Sequence, residues 1–268
     1  MLKSAIRSYT PEIIYDLFRR TKQERMTRQF AAYDATHNFA GKRLNMHIAD
    51  PVGSAWYDHD EDNLPELEFL KRFKLAGKTI FDLGAHQCMV AMLLAELAGK
   101  AGKVVAVEAN AHNQRVAERN IAMNGYRNIT CLHGLVSSGK IAVSIDGGLN
   151  GRARSAGAGS AKVAVLSIDE LTAVHGAPAL VFLDIEGHEI EALGGATQTL
   201  SHTTSHWFIE LHGDADLSTY GHKNSDIFKF FPARAFNAHI LDVKSGEFLP
   251  LSTGNLPNDR CHVFFERR

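Results

Sequence analysis

The sequence predicts an α/β chain built on an open, mostly parallel sheet with helices on both faces. Three observations lead there. Residues 79–82, 103–108, 129–132 and 180–184 are short apolar runs, the pattern of strands buried on both faces. Helical segments at 87–98, 111–123 and 188–200 lie between them, and this alternation favours parallel pairing through right-handed crossovers. The stretch Phe81-Asp82-Leu83-Gly84-Ala85-His86-Gln87-Cys88 ends one strand and opens a helix, and Glu108 closes the next strand.

The chain has 268 residues, enough for one large domain or two small ones. Residues 1–75 read as an N-terminal helical and strand appendage and possible lid, and 76–268 as the main domain. Apolar residues at 45% and charged residues at 22% exclude a disordered, collagen-like or coiled-coil protein. A net charge of -1, from 29 basic and 30 acidic residues, lacks the footprint of a nucleic-acid binder or of polybasic membrane docking. Cys88, Cys131 and Cys261 form no CxxC and no disulfide framework, which fits a reducing compartment. The opening residues lack a signal-peptide core, and no run approaches the ~20 apolar residues of a membrane span. A cytoplasmic protein with no membrane partner is expected; a homo-oligomer is left open.

In chain order, residues 11–33 read as a helix, with Thr10 as N-cap and an apolar stripe through Ile13, Ile14, Leu17 and Phe18. Residues 42–49 alternate as a strand, Asp50-Pro51-Val52-Gly53 reads as a turn, and Asp62 or Asn63 introduces a short helix through Phe73. Trp56 and Tyr57 either form part of a lid or pack the appendage onto the domain. Residues 141–145 and 162–166 read as strands around a Gly-, Ala- and Ser-rich stretch, 147–160. That stretch is either a flexible connection or a flap carrying Arg152 and Arg154. Later strands fall at 206–210, 238–242 and 261–265, the last two forming an antiparallel pair at the sheet edge.

At the first strand–turn–helix a ligand can approach the backbone where helix N–H groups point outward. Gly84 permits the tight turn. Glu108 can accept hydrogen bonds from both hydroxyls of a ribose. The GxGxxG of a dinucleotide dehydrogenase is missing, since position 86 is His and 89 is Met. A nucleoside without phosphate suits this loop better, and Asp82 suits a cation. These features favour S-adenosylmethionine over a nicotinamide dinucleotide. Ala85, His86, Ala109, Asn110 and Asp184 belong to the same cofactor set, and His133 and Gly134 follow the third strand where an adenine would lie.

Asp82-Leu83-Gly84-Ala85-His86, Val107-Glu108-Ala109-Asn110 and residues 119–125 resemble the FkbM family of S-adenosylmethionine-dependent methyltransferases. Residues 165–171, Leu183-Asp184-Ile185-Glu186-Gly187-His188-Glu189, 193–196 and Phe208-Ile209-Glu210-Leu211-His212 continue the match, in order, over about 40–265. The resemblance implies a Rossmann-like class I methyltransferase fold, seven-stranded and mostly parallel with an antiparallel last strand. It implies methyl transfer to a hydroxyl of a sugar, natural product or other small molecule. By its motifs Asp82, Gly84 and Glu108 hold the cofactor, while Asp184, Glu186 and Glu210 lie towards the acceptor. Two positions depart from it: Cys88 stands where the loop usually has its second glycine, and Leu183 where a lysine often precedes the Asp.

In open parallel sheets ligands bind beyond the carboxyl ends of the strands. Alternation puts Asp184 with Glu186, and Glu210 with His212, on one side of their strands. An acceptor hydroxyl must lose its proton, and His212, His188 or Asp184 can take it. His212 comes first, because imidazole titrates near neutrality. Alternatively Asp184, Glu210 and His212 hold a divalent metal. A nicotinamide-dependent oxidoreductase and a non-catalytic module that kept the fold are the competing readings.

Overall fold

A computed structural model describes residues 25–139, 143–145, 153–155, 163–252 and 256–268. The apolar stripe expected around Ile13–Phe18, most of the stretch 147–160 and Arg152 lie outside them, and only the backbone of Arg154 is described.

Residues 25–29 are helical, but the expected helix does not run to Tyr33. Tyr33–Phe39 (β1) and Lys42–Ile48 (β2) instead form an antiparallel hairpin. The appendage is therefore only partly helical. Asp50-Pro51-Val52-Gly53 is not a free turn either. Asp50 caps helix α1 (Pro51–Tyr57), its Oδ1 accepting from the N–H groups of Val52 and Gly53, and Pro51 fills the first helical turn. Helix α2 (Pro65–Leu70) starts later and ends earlier than expected, with Pro65 again in the first turn.

The main sheet contains β3 (Thr79–Leu83), β4 (Lys103–Glu108), β5 (Ile129–His133), β10 (Leu180–Leu183), β11 (His206–Leu211), β12 (Phe236–Asp242), β13 (Glu247–Pro250) and β14 (Cys261–Arg267). Its order is β13-β12-β14-β11-β10-β3-β4-β5. The pairs among β5, β4, β3, β10 and β11 are parallel, and β14 runs antiparallel between β11 and β12. This is the Rossmann-like arrangement expected, with one strand more than seven. The eighth, β13, exists because the chain reverses at Gly246, whose N–H donates to Asp242 and whose φ is +71°.

Helices α3 (Met89–Ala98), α4 (Ala111–Met123), α5 (Ile168–His175), α6 (Glu189–Leu193) and α7 (Thr197–His202) flank the sheet. The helix expected over 188–200 is two, because Gly194 and Gly195 press against another segment. A Cβ on Gly195 would lie 2.8 Å from the Ser137 carbonyl oxygen. Short pairs β6 (Leu135–Val136) with β9 (Val165–Leu166), and β7 (Val143–Ile145) with β8 (Ala153–Ser155), lie outside the main sheet.

Each face of the sheet buries its own core. One gathers Ile80, Val104, Ala106, Leu180, Phe182 and Phe208 with α3 and with Phe39, Leu44, Met46 and Ile48 of the hairpin. The other gathers Phe81, Leu83, Val105, Val107, Trp207 and Ile209 with α5, α6 and α7. The hairpin is thus built into the first core. Asp50 joins it to the loop after β3, because its Oδ2 accepts from Gln87 Nε2 at 2.8 Å and sits 2.9 Å from His112 Nε2.

Candidate active site

A cleft of about 230 Å³ opens beyond the carboxyl ends of β3, β4, β10 and β11. On one side it is bordered by Trp56, Gly84, His86, Val107, Glu108, Ala109, Gly134, Leu135 and Val136; on the other by Asp184, Ile185, Glu186, His188, Glu210 and Arg260.

Glu108 ends β4 and is 4% exposed. Its Oε2 accepts from the His86 backbone N–H at 2.8 Å and its Oε1 from that of Asn110 at 2.7 Å. Burial pushes its pKa up to about 8 against the pull of these donors. Asp82 lies beneath the turn, off the cleft surface, where burial pushes it up to about 7. Its Oδ2 has no hydrogen-bond partner among the described residues.

The turn itself is conformationally demanding. His86 and Cys88 both have positive φ, +46° and +65°. Gly84, at φ +95°, is required by protein rather than ligand: a Cβ there would lie 1.7 Å from the Asp184 carbonyl oxygen. The His86 ring is wedged between Trp56, 4.8 Å between ring centres, and Tyr57, whose hydroxyl is 2.8 Å from Nδ1. The Trp56–Tyr57 pair packs the N-terminal segment onto the loop, and Trp56 borders the cleft.

Opposite, Asp184 follows β10 and Glu210 lies near the end of β11. His212 follows β11 with its side chain 1% exposed. His212 Nδ1 is 2.8 Å from Glu189 Oε1, and its Nε2 lies 3.6 Å from Asp184 Oδ1 and 3.5 Å from Glu186 Oε2. Burial disfavours the charged ring, but the hydrogen bond to Glu189 and the surrounding carboxylates outweigh it and hold His212 at about 9. Loss of hydration, tempered by a side chain 38% exposed, and the Glu210 charge together hold Asp184 well above the usual carboxylate range. For Glu210, burial is outweighed by His262, 3.4 Å away, with help from His212 and Arg260, leaving it at about 2. Arg260 Nη1 lies 3.1 Å from Glu210 Oε1. Buried His188, pushed down to about 4 by its burial, sits 3.1 Å from Ser137 Oγ through Nε2.

Of the residues expected from sequence to hold the cofactor, Gly84, His86, Glu108, Ala109, Gly134 and Asp184 border the cleft; Asp82, Ala85, Asn110 and His133 do not. Asn110 instead caps α4 and donates its N–H to Glu108. His133 is exposed, 3.1 Å from the Ala109 carbonyl oxygen. Gly134 makes room for Leu166, whose side chain a Cβ would meet at 2.6 Å. Of the expected acceptor-side residues, Asp184, Glu186, Glu210 and His188 border the cleft, while His212 lies buried behind Asp184 and Glu186 and off the cleft surface. Arg260, His262 and Glu189 escaped the sequence reading of the site; only Glu189 carried a signal, its place in the 183–189 motif.

No curated protein sequence matches the chain. Among solved structures it is similar to a methyltransferase FkbM from Methylobacillus flagellatus, with 18% identity over 72% of this chain and 44% of that longer one, TM-score 0.44. A SAM-dependent O-methyltransferase from Thermotoga maritima shares 11% identity over 87% and 77% of the two chains, TM-score 0.47. A SAM dependent methyltransferase from Aquifex aeolicus shares 12% over 81% and 93%, TM-score 0.45. The profile of the methyltransferase FkbM domain matches residues 82–237, from the buried Asp82 under the turn past His212. That is more than half of the chain, and the protein belongs to the FkbM methyltransferase domain family.

Proposed function

We propose that this protein transfers the methyl group of S-adenosylmethionine to a hydroxyl of a small molecule or glycan. The observation that carries this reading is Glu108. Its oxygens accept from the backbone N–H groups of His86 and Asn110 and from the Asn113 side chain, which together fix the carboxylate at the cleft wall with acceptor capacity left for a ribose hydroxyl. The apolar strip Val107, Ala109, Leu135 and Val136 suits a flat base beside it. The unsatisfied Asp82 Oδ2 leaves an acceptor under the turn whose ionisation a cationic ligand nearby would favour. The residues present therefore fit this cofactor. When bound, it supplies an activated methyl group on a sulfonium.

The chain's own work is alignment and proton handling. The two walls of the cleft face each other across the ends of adjacent strands β3 and β10, so donor and acceptor are held side by side, and such alignment supplies up to about 7–11 kcal/mol. The acceptor oxygen gains the methyl carbon and gives up one proton. Asp184, Glu210 and His212 form the cluster that receives this hydroxyl and its proton. His188 stays neutral, and we assign it a positioning role against Ser137 and Tyr220.

The three cysteines are free thiols, and among the described residues no helix is long and apolar enough to cross a membrane. We assign the activity to the cytoplasm and the acceptor to uncharged or weakly charged small molecules rather than nucleic acid, in keeping with the net charge of -1.

Calorimetry with S-adenosylhomocysteine, and transfer of a labelled methyl group from S-adenosylmethionine to a panel of sugars and phenols, test this. Micromolar binding and a labelled ether product are expected. Absence of any binding at millimolar concentration defeats the proposal.

A further inference from the structure

We propose that Asp184, Glu210 and His212 bind one divalent cation of the magnesium or manganese class, in the acceptor half of the cleft. The cation site stands on its own geometry; only the acceptor class drawn from it rests on the methyl-transfer reading above.

One ligand atom from each of the three residues lies within 4.8 Å of the others. The imidazole is what separates this cluster from a mere gathering of acids. His212 Nε2 is buried and has no hydrogen-bond partner among the described residues; its neighbours, Asp184 Oδ1 at 3.6 Å and Glu186 Oε2 at 3.5 Å, surround it without closing on it. The other ring nitrogen is committed. Nδ1 is 2.8 Å from Glu189 Oε1, and Glu189 is fully buried and held by the Gly187 N–H. A buried carboxylate fixing one nitrogen so that the other faces a ligand position is how metal-bound histidines are oriented. Glu189 is thus a positioning residue for the site.

The charges agree. Asp184, Glu186, Glu189 and Glu210 converge, and the permanent cation among them, Arg260, is 54% exposed and reaches in from solvent to Glu210 and Glu186. His262 lies on the other oxygen of Glu210. Asp184 and Glu210 also share a hydrogen bond between their carboxyl groups, which a cation binding between them would replace. Two carboxylates with one imidazole form an oxygen-rich set suited to manganese or magnesium, and three protein ligands leave coordination positions open. Two neighbouring oxygens of one acceptor would fill two of them, so the acceptor class is a vicinal diol or catechol rather than an isolated alcohol.

The test uses the full chain without a polyhistidine tag. Manganese is titrated while its free signal is followed by electron paramagnetic resonance. One manganese per chain is expected, displaced by excess magnesium. His212→Gln and Asp184→Asn should each weaken binding about tenfold or more, and Glu189→Gln about 10–100-fold. S-adenosylhomocysteine binding should stay within about threefold in His212→Gln and Glu189→Gln, and circular dichroism with the urea midpoint reports that every variant is folded. Adding catechol should change the bound-manganese spectrum, and phenol should not. No manganese bound at millimolar concentration, or undiminished binding in both His212→Gln and Asp184→Asn, overturns the site and leaves an ion-pair network closed by the imidazolium. An identical response to catechol and phenol overturns the acceptor class alone. If manganese binds and S-adenosylhomocysteine does not, the cation site stands and the methyl-transfer reading falls; the reverse result removes only the cation.

Discussion

The two halves of the cleft treat their carboxyl groups in opposite ways. Beside β4, Glu108 and Asp82 are buried with no cationic side chain among their described hydrogen-bond partners, and burial holds them at about 8 and about 7. Beside β10 and β11, Asp184, Glu186, Glu189 and Glu210 share Arg260, His212 and His262, and Glu210 falls to about 2 while His212 rises to about 9. One half is built for hydroxyl hydrogen bonds, with charge entering only when a ligand brings it. The other sets ion pairs beside the Asp184 carboxyl, which is held well above the usual range, a mixture suited to a place where a proton changes hands. The same strand-end position therefore does different work according to what surrounds it.

The largest effect should separate the halves cleanly. Glu108→Ala removes the carboxylate that takes the ribose, and one hydrogen bond to a charged acceptor is worth about 1.5–3 kcal/mol. Affinity for S-adenosylhomocysteine should fall about a hundredfold or more by calorimetry. Asp184→Asn should leave that affinity within about threefold while methyl transfer drops by about 10² or more. If both substitutions weaken binding equally, the division of the cleft is wrong.

The seam between the halves is next. Gly84→Ala places a methyl 1.7 Å from the Asp184 carbonyl oxygen, at φ +95°. Strain and displacement together should cost about 3 kcal/mol or more. Urea unfolding should show an earlier midpoint with an unchanged slope. A wild-type midpoint would mean the two strand ends can part freely.

The pH dependence is a smaller, graded test. Ribose hydroxyls donate to the ionised form of Glu108, so binding favours loss of its proton. Affinity for S-adenosylhomocysteine should therefore climb as pH rises towards about 8, by at most about tenfold per unit for each proton released, and level off above. Stability of the free protein runs the other way. Between the ordinary carboxylate range and about 7–8 the folded state holds protons that the unfolded state has lost, so stability falls as pH rises through that window. Glu108→Gln should flatten the part of both slopes due to that residue.

Much of the first half was legible because its parts are local. Residues 103–108 and 111–123 match β4 and α4, since a strand buried on both faces is a continuous apolar run and a helix capped by Asn110 carries its own start signal. Glu108 follows from strand and position alone. The second half was half legible. Alternation brought Asp184, Glu210 and His212 together on paper. Arg260 and His262 arrive only because β14 inserts between β11 and β12 and sets His262 opposite Glu210, a pairing no local pattern announces. Strand β1 was missed, with only Tyr33 of it given to the end of the expected helix, because its burial along Tyr-Asp-Ala-Thr-His-Asn-Phe is shallow, with one fully buried residue at its end.

The smallest expected effect concerns Cys88, a departure legible from sequence whose consequence lies in the backbone. Cys88 sits in the left-handed region at φ +65° and ψ +24°, fully buried, its sulfur 3.9 Å from that of Cys131. A side chain there costs roughly 1–2 kcal/mol that glycine would not. Cys88→Gly relieves that strain, but it removes a packed thiol and adds freedom to the unfolded chain, worth about 0.5–1 kcal/mol. The opposing contributions should leave unfolding free energy within about 1 kcal/mol of wild type and cofactor affinity within about threefold. Cys88→Val keeps a packed side chain but forces a β-branched residue into the same conformation, and should destabilise clearly. If glycine proves as damaging as valine, packing against Cys131 rather than backbone conformation governs the turn that presents the His86 N–H to Glu108.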